Sequence, residues 1–89
     1  MSVRGELDLS TAPELRAVLQ SQQRGGESVT IDLSAVEFMD STGLRVLLEA
    51  QADANRDGWN VALAPDLPDQ VDRLLDLTGV RGNFNWLPR

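Results

Sequence analysis

Cysteine, histidine and tyrosine are all missing from this chain of 89 residues. Without cysteine there are no disulfides, and without cysteine and histidine there is neither a Cys/His zinc site nor an imidazole base. Asp and Glu are left as ligands for a hard cation, but no alternating acidic loop of the EF-hand kind occurs, so neither metal nor cofactor is expected. Aromatic residues are scarce, limited to Phe38, Trp59, Phe84 and Trp86. The core must therefore be built mainly from Leu, Val, Ile and Ala. Basic residues are also few, 8 against 14 acidic, for a formal net charge of −6. They are scattered singly, whereas gripping a phosphate backbone takes clustered Lys and Arg, so no nucleic-acid partner is expected. No apolar run reaches membrane-spanning length, and no basic segment is followed by a short apolar one. The expectation is a soluble, cytoplasmic protein without membrane insertion.

The residues that are present have ordinary globular proportions, 42% hydrophobic and 25% charged. A chain of this length makes one small domain that buries roughly 60–65% of its unfolded surface. Val3-Arg4-Gly5-Glu6-Leu7-Asp8 reads as a short strand, with Val3 inward and Leu7 a second inward candidate. Thr11, Pro13 and Glu14 read as a helix start with a capping box, and Leu15, Val18 and Leu19 form its apolar stripe as far as Gly25-Gly26. Val29, Ile31 and Leu33 alternate as a strand. Leu44, Leu47, Leu48 and Ala52 recur at helical spacing up to the Asp57-Gly58 turn. Trp59, Val61 and Leu63 share one face of a further strand. Asp66 and Pro68 open a third helix carrying Val71, Leu74 and Leu75 and stopping near Gly79. Phe84 and Trp86 then line a last strand. Strands alternating with helices predict an α/β domain, a central, mostly parallel mixed sheet of about four strands covered by helices.

The most informative stretch is Phe38-Met39-Asp40-Ser41-Thr42-Gly43-Leu44, a polar cluster between the apolar strand and the amphipathic helix. It puts hydroxyls at a helix N-terminus, where unpaired N–H groups and the positive dipole end favour an anion. A serine there suits phosphorylation, and Ser41 is the candidate acceptor with Thr42 as its competitor. The plain structural alternative makes Ser41 an ordinary N-cap; equally, Asp40 caps and Ser41 takes the first helical position. Gly43 is either a permissive loop-to-helix residue or a place where a side chain would obstruct close packing or a partner's approach. Met39 is either a contact beside the cluster or partly buried. Asp32 falls on the polar side of its strand.

Taken in order, Gly5-Glu6-Leu7-Asp8, Val29-Thr30-Ile31-Asp32-Leu33, Phe38 to Leu44 as quoted, and Leu74-Leu75-Asp76-Leu77-Thr78-Gly79-Val80 resemble the STAS domain of bacterial anti-sigma factor antagonists (anti-anti-sigma factors). The resemblance runs from about residue 4 to residue 87. It implies a single STAS domain over residues 1–89, short at both ends, since family members usually carry a strand before the Gly-Glu-Leu-Asp block and a helix after the last strand. It implies that the unphosphorylated chain captures an anti-sigma factor, itself a serine kinase, and so frees a sigma factor. Phosphorylation of Ser41 then cancels the capture and a phosphatase restores it. The implied partner-binding residues are Asp8, Asp40, Ser41, Thr42 and Gly43, on a chain expected to be monomeric. Asp8 with Ser10 and Thr11 also reads as a plain helix-entry turn.

Asp40-Ser41-Thr42-Gly43 superficially resembles an aspartic-protease signature. That signature has one residue between Asp and Gly where this chain has two, and its paired carboxylates sit on an all-β frame. No catalytic residue and no enzyme activity are therefore expected. The alternative to the kinase-linked role is a STAS interaction or scaffold module of a lipid-transport or stress-sensing complex.

Overall fold

A computed structural model describes residues 1–26 and 28–88. Strand β1 (Ser2–Leu7) is followed by helix α1 (Ala12–Arg24), β2 (Val29–Met39), α2 (Ser41–Asp57), β3 (Val61–Leu63) and α3 (Asp69–Thr78), then a single 3₁₀ turn at Arg81–Asn83. The sheet has the order β1-β2-β3, and both pairings are parallel. Each parallel connection carries a helix, as crossovers between parallel strands require. The predicted α/β architecture is thus the observed one. The sheet has three strands, not about four, and no antiparallel pair makes it mixed among the described residues.

The predicted fourth strand is reduced to a single bridge beside β3. Trp86 makes one isolated parallel bridge to Leu63, and Leu63 N–H donates to the Asn85 carbonyl at 2.8 Å. The preceding residues are instead wound into the 3₁₀ turn. There the Arg81 carbonyl accepts the Trp86 indole N–H at 3.0 Å, and the Arg81 guanidinium, paired with Asp72 and Asp76, lies over the indole ring. Phe84 is buried edge-on against Trp86.

Strand β2 is longer than its alternation predicts. Its buried residues are Val29, Ile31 and Leu33, then Val36, then Met39. The period lengthens from two to three twice, because β2 carries two extra residues relative to β1: Ser2 pairs with Asp32 but Arg4 with Ala35, and Gly5 pairs with Val36 but Glu6 with Phe38. Each extra residue is a bulge, which re-aims the side chains beyond it. The bulges carry β2 onward to Met39 and bring its end directly to the start of α2.

Helix α2 lies against all three strands, α1 packs on α2, and α3 packs on β2. The buried face of α2 is Leu44, Val46, Leu47, Ala50 and Ala54, with Ala52 outside it. The helix stops at Gly58, whose φ of 78° is a left-handed value that glycine adopts without strain. In α1 the stripe is Ala12, Leu15 and Leu19, while Val18 faces solvent. The expected capping box there does not form. The Thr11 hydroxyl turns back to the Glu6 carbonyl at 2.7 Å and ties the start of α1 to β1 instead. Among the described residues, no helix is long and apolar enough to cross a membrane.

Candidate functional site at the start of helix α2

The C-terminal ends of β1 and β2 meet the N-terminus of α2. Asp40 is the N-cap: its backbone is extended, and its Oδ1 accepts the N–H groups of Thr42 at 2.9 Å and Gly43 at 3.1 Å. Its carbonyl accepts the Leu44 N–H at 3.0 Å. Two of the first-turn donors that a helix normally leaves open, the Thr42 and Gly43 N–H groups, are thus bonded by the cap. The caps being filled by Asp40, Ser41 stands at the first helical position. It is exposed, and its hydroxyl has no hydrogen-bond partner among the described residues. Thr42, the competing hydroxyl, is half-buried.

Gly43 is buried and lies against β1. A Cβ built on it would fall 2.5 Å from the Leu7 carbonyl oxygen and 2.7 Å from the Leu7 Cβ. The same Leu7 carbonyl accepts the Asp40 N–H at 3.1 Å. Helix start and strand end are therefore in contact, and Asp8, the residue after Leu7, is brought to the same end of the sheet as Asp40 to Gly43. Its carboxylate oxygen closes a tight turn, accepting from the Ser10 N–H at 3.0 Å, the Ser10 hydroxyl at 3.1 Å and the Thr11 N–H at 3.2 Å. The Ser10 hydroxyl, followed by these backbone donors, holds the Asp8 carboxyl below its ordinary value. Asp8 is thus built into the entry turn of α1 as well as placed beside the cluster.

All five residues singled out in the sequence come together here. A family model described as Mlab, STAS domain, matches residues 1–88. An anti-sigma-B factor antagonist of Staphylococcus epidermidis is 35% identical over 82 residues, 91% of this chain and 75% of the relative. The chain belongs to the STAS-domain anti-sigma factor antagonist family. The Staphylococcus aureus anti-sigma-B factor antagonist is 33% identical over the same shares of both chains. Among solved structures, an anti-sigma factor antagonist from Mycobacterium paratuberculosis superposes with a TM-score of 0.80 at 29% identity, covering 99% of this chain and 74% of that one. The anti-sigma factor antagonist SpoIIAA in its unphosphorylated form shares the fold, with a TM-score of 0.70 at 19% identity over 99% of this chain and 76% of that one.

Around the STAS motif, the structure singles out residues that periodicity does not. Met39 is buried, and it is Phe38 that faces solvent, 44% exposed, because the bulge at the end of β2 turns it outward. Leu9, 76% exposed, follows Asp8 on the neighbouring loop. Gln70 of α3 bonds both backbone groups of Met39. A small cavity of about 50 Å³ lies elsewhere, between α1 and α2 and lined in part by Arg16, Glu49, Asp53 and Trp59.

The Asp40 cap carries a testable consequence. Asp40→Ala removes the acceptor for two N–H groups and is expected to cost about 1 kcal/mol. For a domain of this size that lowers the thermal midpoint by about 4–8 °C. Asp40→Asn, an equally good cap, should stay close to the parent in the same melt.

Proposed function

We propose that this chain is an anti-sigma factor antagonist switched at Ser41. In its unphosphorylated form it binds an anti-sigma factor that is also a serine kinase, so that a sigma factor is released. Transfer of phosphate to Ser41 ends that binding, and a separate phosphatase resets it. Ser41 is a substrate in this cycle, and the chemistry belongs to the partners. Asp8, Asp40 and Thr42 form the surface that the partner meets around the acceptor; Gly43, expected among them, is buried against Leu7 and shapes that surface from beneath.

The observation that carries the reading is the division of labour between neighbours. Asp40 does the capping, which leaves the Ser41 hydroxyl exposed and without a partner among the described residues, in a chain whose curated relatives bear the name anti-sigma-B factor antagonist. An ordinary capping serine would have its oxygen engaged with backbone N–H groups. Incubation with ATP and the serine kinases of the anti-sigma type from the source cell tests the reading. The expected result is one phosphate per chain, mapped to Ser41 by mass spectrometry and lost in Ser41→Ala. Persistent absence of label at Ser41 overturns the kinase cycle and leaves a STAS interaction module without one.

A further inference from the structure

Strand β2 has different neighbours on its two sides. β1 accompanies it as far as Met39, whereas β3 pairs only with Val29, Thr30 and Ile31. On the β3 side, the C-terminal part of β2 therefore has no strand beside it among the described residues. At Met39 a side chain takes that place. The Met39 N–H donates to Gln70 Oε1 at 2.8 Å, and Gln70 Nε2 donates to the Met39 carbonyl at 2.7 Å. The amide group of Gln70 thus presents the acceptor and the donor that a facing residue of an adjacent strand would supply through its own C=O and N–H.

The carbonyl of Met39 and the N–H of Asp40 belong to one rigid peptide plane. Gln70 holds that plane at the carbonyl end, and the Leu7 carbonyl holds it at the N–H end, 3.1 Å away. The plane in turn fixes the direction in which the chain leaves β2 for Asp40, whose carboxylate must aim at the Thr42 and Gly43 N–H groups. We propose that Gln70 is a positioning residue for Ser41: it clamps the Met39–Asp40 peptide, and through the Asp40 cap it sets how the Ser41 hydroxyl is presented. The role in phosphotransfer rests on the reading of Ser41 as acceptor. Through this clamp α3 is mechanically tied to the switch, although it contributes no group to it.

The test compares the parent chain with Gln70→Met, which keeps the length but cannot form either bond. Gln70→Asn, one methylene shorter and still polar, serves as a second variant should the first fail to fold. Amide hydrogen exchange is followed residue by residue. In both variants the Thr42 and Gly43 N–H groups are expected to exchange about tenfold faster or more, while Leu19 in α1 keeps its parent rate. Ser41 phosphotransfer is expected to slow about three- to tenfold, through a higher KM. Unchanged exchange at Thr42 and Gly43, or an equal rise throughout the chain, overturns the clamp. Should even the parent resist labelling, the kinase reading fails by itself, and the exchange pattern still supports or overturns the clamp.

Discussion

Gly43→Ala is expected to destabilise the fold by about 3 kcal/mol, lowering the thermal midpoint by roughly 12–24 °C. The added methyl group would sit 2.5 Å from the Leu7 carbonyl oxygen, 2.7 Å from its Cβ and 3.0 Å from its carbonyl carbon. These are backbone and near-backbone atoms with no rotamer to escape into. Either α2 or β1 must move, and the two are joined at that point by the Asp40 N–H to Leu7 carbonyl bond. Leu7 is itself part of the buried core, so the displacement spreads into packing that tolerates little change of shape. Alanine in place of glycine gains about 1 kcal/mol of helix propensity, which offsets only part of that cost. The comparison also separates the two roles open to this glycine. A residue needed only for loop flexibility would accept alanine, since Gly43 lies within a regular helix. A thermal melt within a few degrees of the parent would contradict the packing role. The expected loss, with the far-UV spectrum of the folded fraction retained at low temperature, identifies Gly43 as the contact that lets helix and strand meet.

How much of this was legible in the sequence depends on the distance over which the information acts. The helices were readable because their apolar spacing and terminators are local: Gly58 and Gly79 end α2 and α3 where the sequence pattern stops. The cluster Asp40 to Gly43 was readable for the same reason, as contiguous residues at a strand-to-helix junction. The extent of β2 was not, because two bulges break the alternation on which strand recognition rests. Phe38 and Met39 illustrate the consequence, since the second bulge decides which of the two is buried. The Thr11 side chain does not cap α1 because its hydroxyl is turned back to β1, accepting the Asp8 N–H at 3.0 Å and donating to the Glu6 carbonyl. That acceptor becomes available only once β1 and α1 are placed. Gln70 carries no signal of its own. Its importance comes from the missing neighbour strand of β2, a property of topology, and from a contact 31 residues away along the chain. Local chemistry thus marked Ser41 only as a candidate, while the parts that hold it in place are non-local.

Phosphorylation of Ser41 is expected to weaken capture of the anti-sigma factor about a hundredfold or more while leaving the fold intact. The modification adds roughly −1.5 to −2 charge at pH 7 and three acceptor oxygens. A helix N-terminus ordinarily welcomes such a group, by a few tenths to about 1 kcal/mol. At this terminus the Asp40 carboxylate already holds the Thr42 and Gly43 N–H groups, so the phosphate arrives beside a resident negative charge. Attraction to the dipole and repulsion from Asp40 oppose each other on an exposed side chain, and the net effect on folding is small. Across an interface the balance differs. A site shaped around a neutral hydroxyl must desolvate the phosphate or set it against like charge, at a cost of several kcal/mol. Each 1.4 kcal/mol is a factor of ten in affinity, so about 3 kcal/mol already gives the hundredfold loss. Ser41→Ala removes only a hydroxyl that makes no bond within the described chain, and it should capture the partner nearly as well as the parent. Ser41→Asp, with one unit of charge, should fall between the alanine variant and the phosphorylated chain. Isothermal titration of the four forms against the purified anti-sigma factor, paired with circular dichroism of each, separates the two possible origins of a loss. Weak binding by a phosphorylated chain with an unchanged spectrum places the switch at the interface, whereas a large loss of helix signal would move it into the fold and contradict the charge argument.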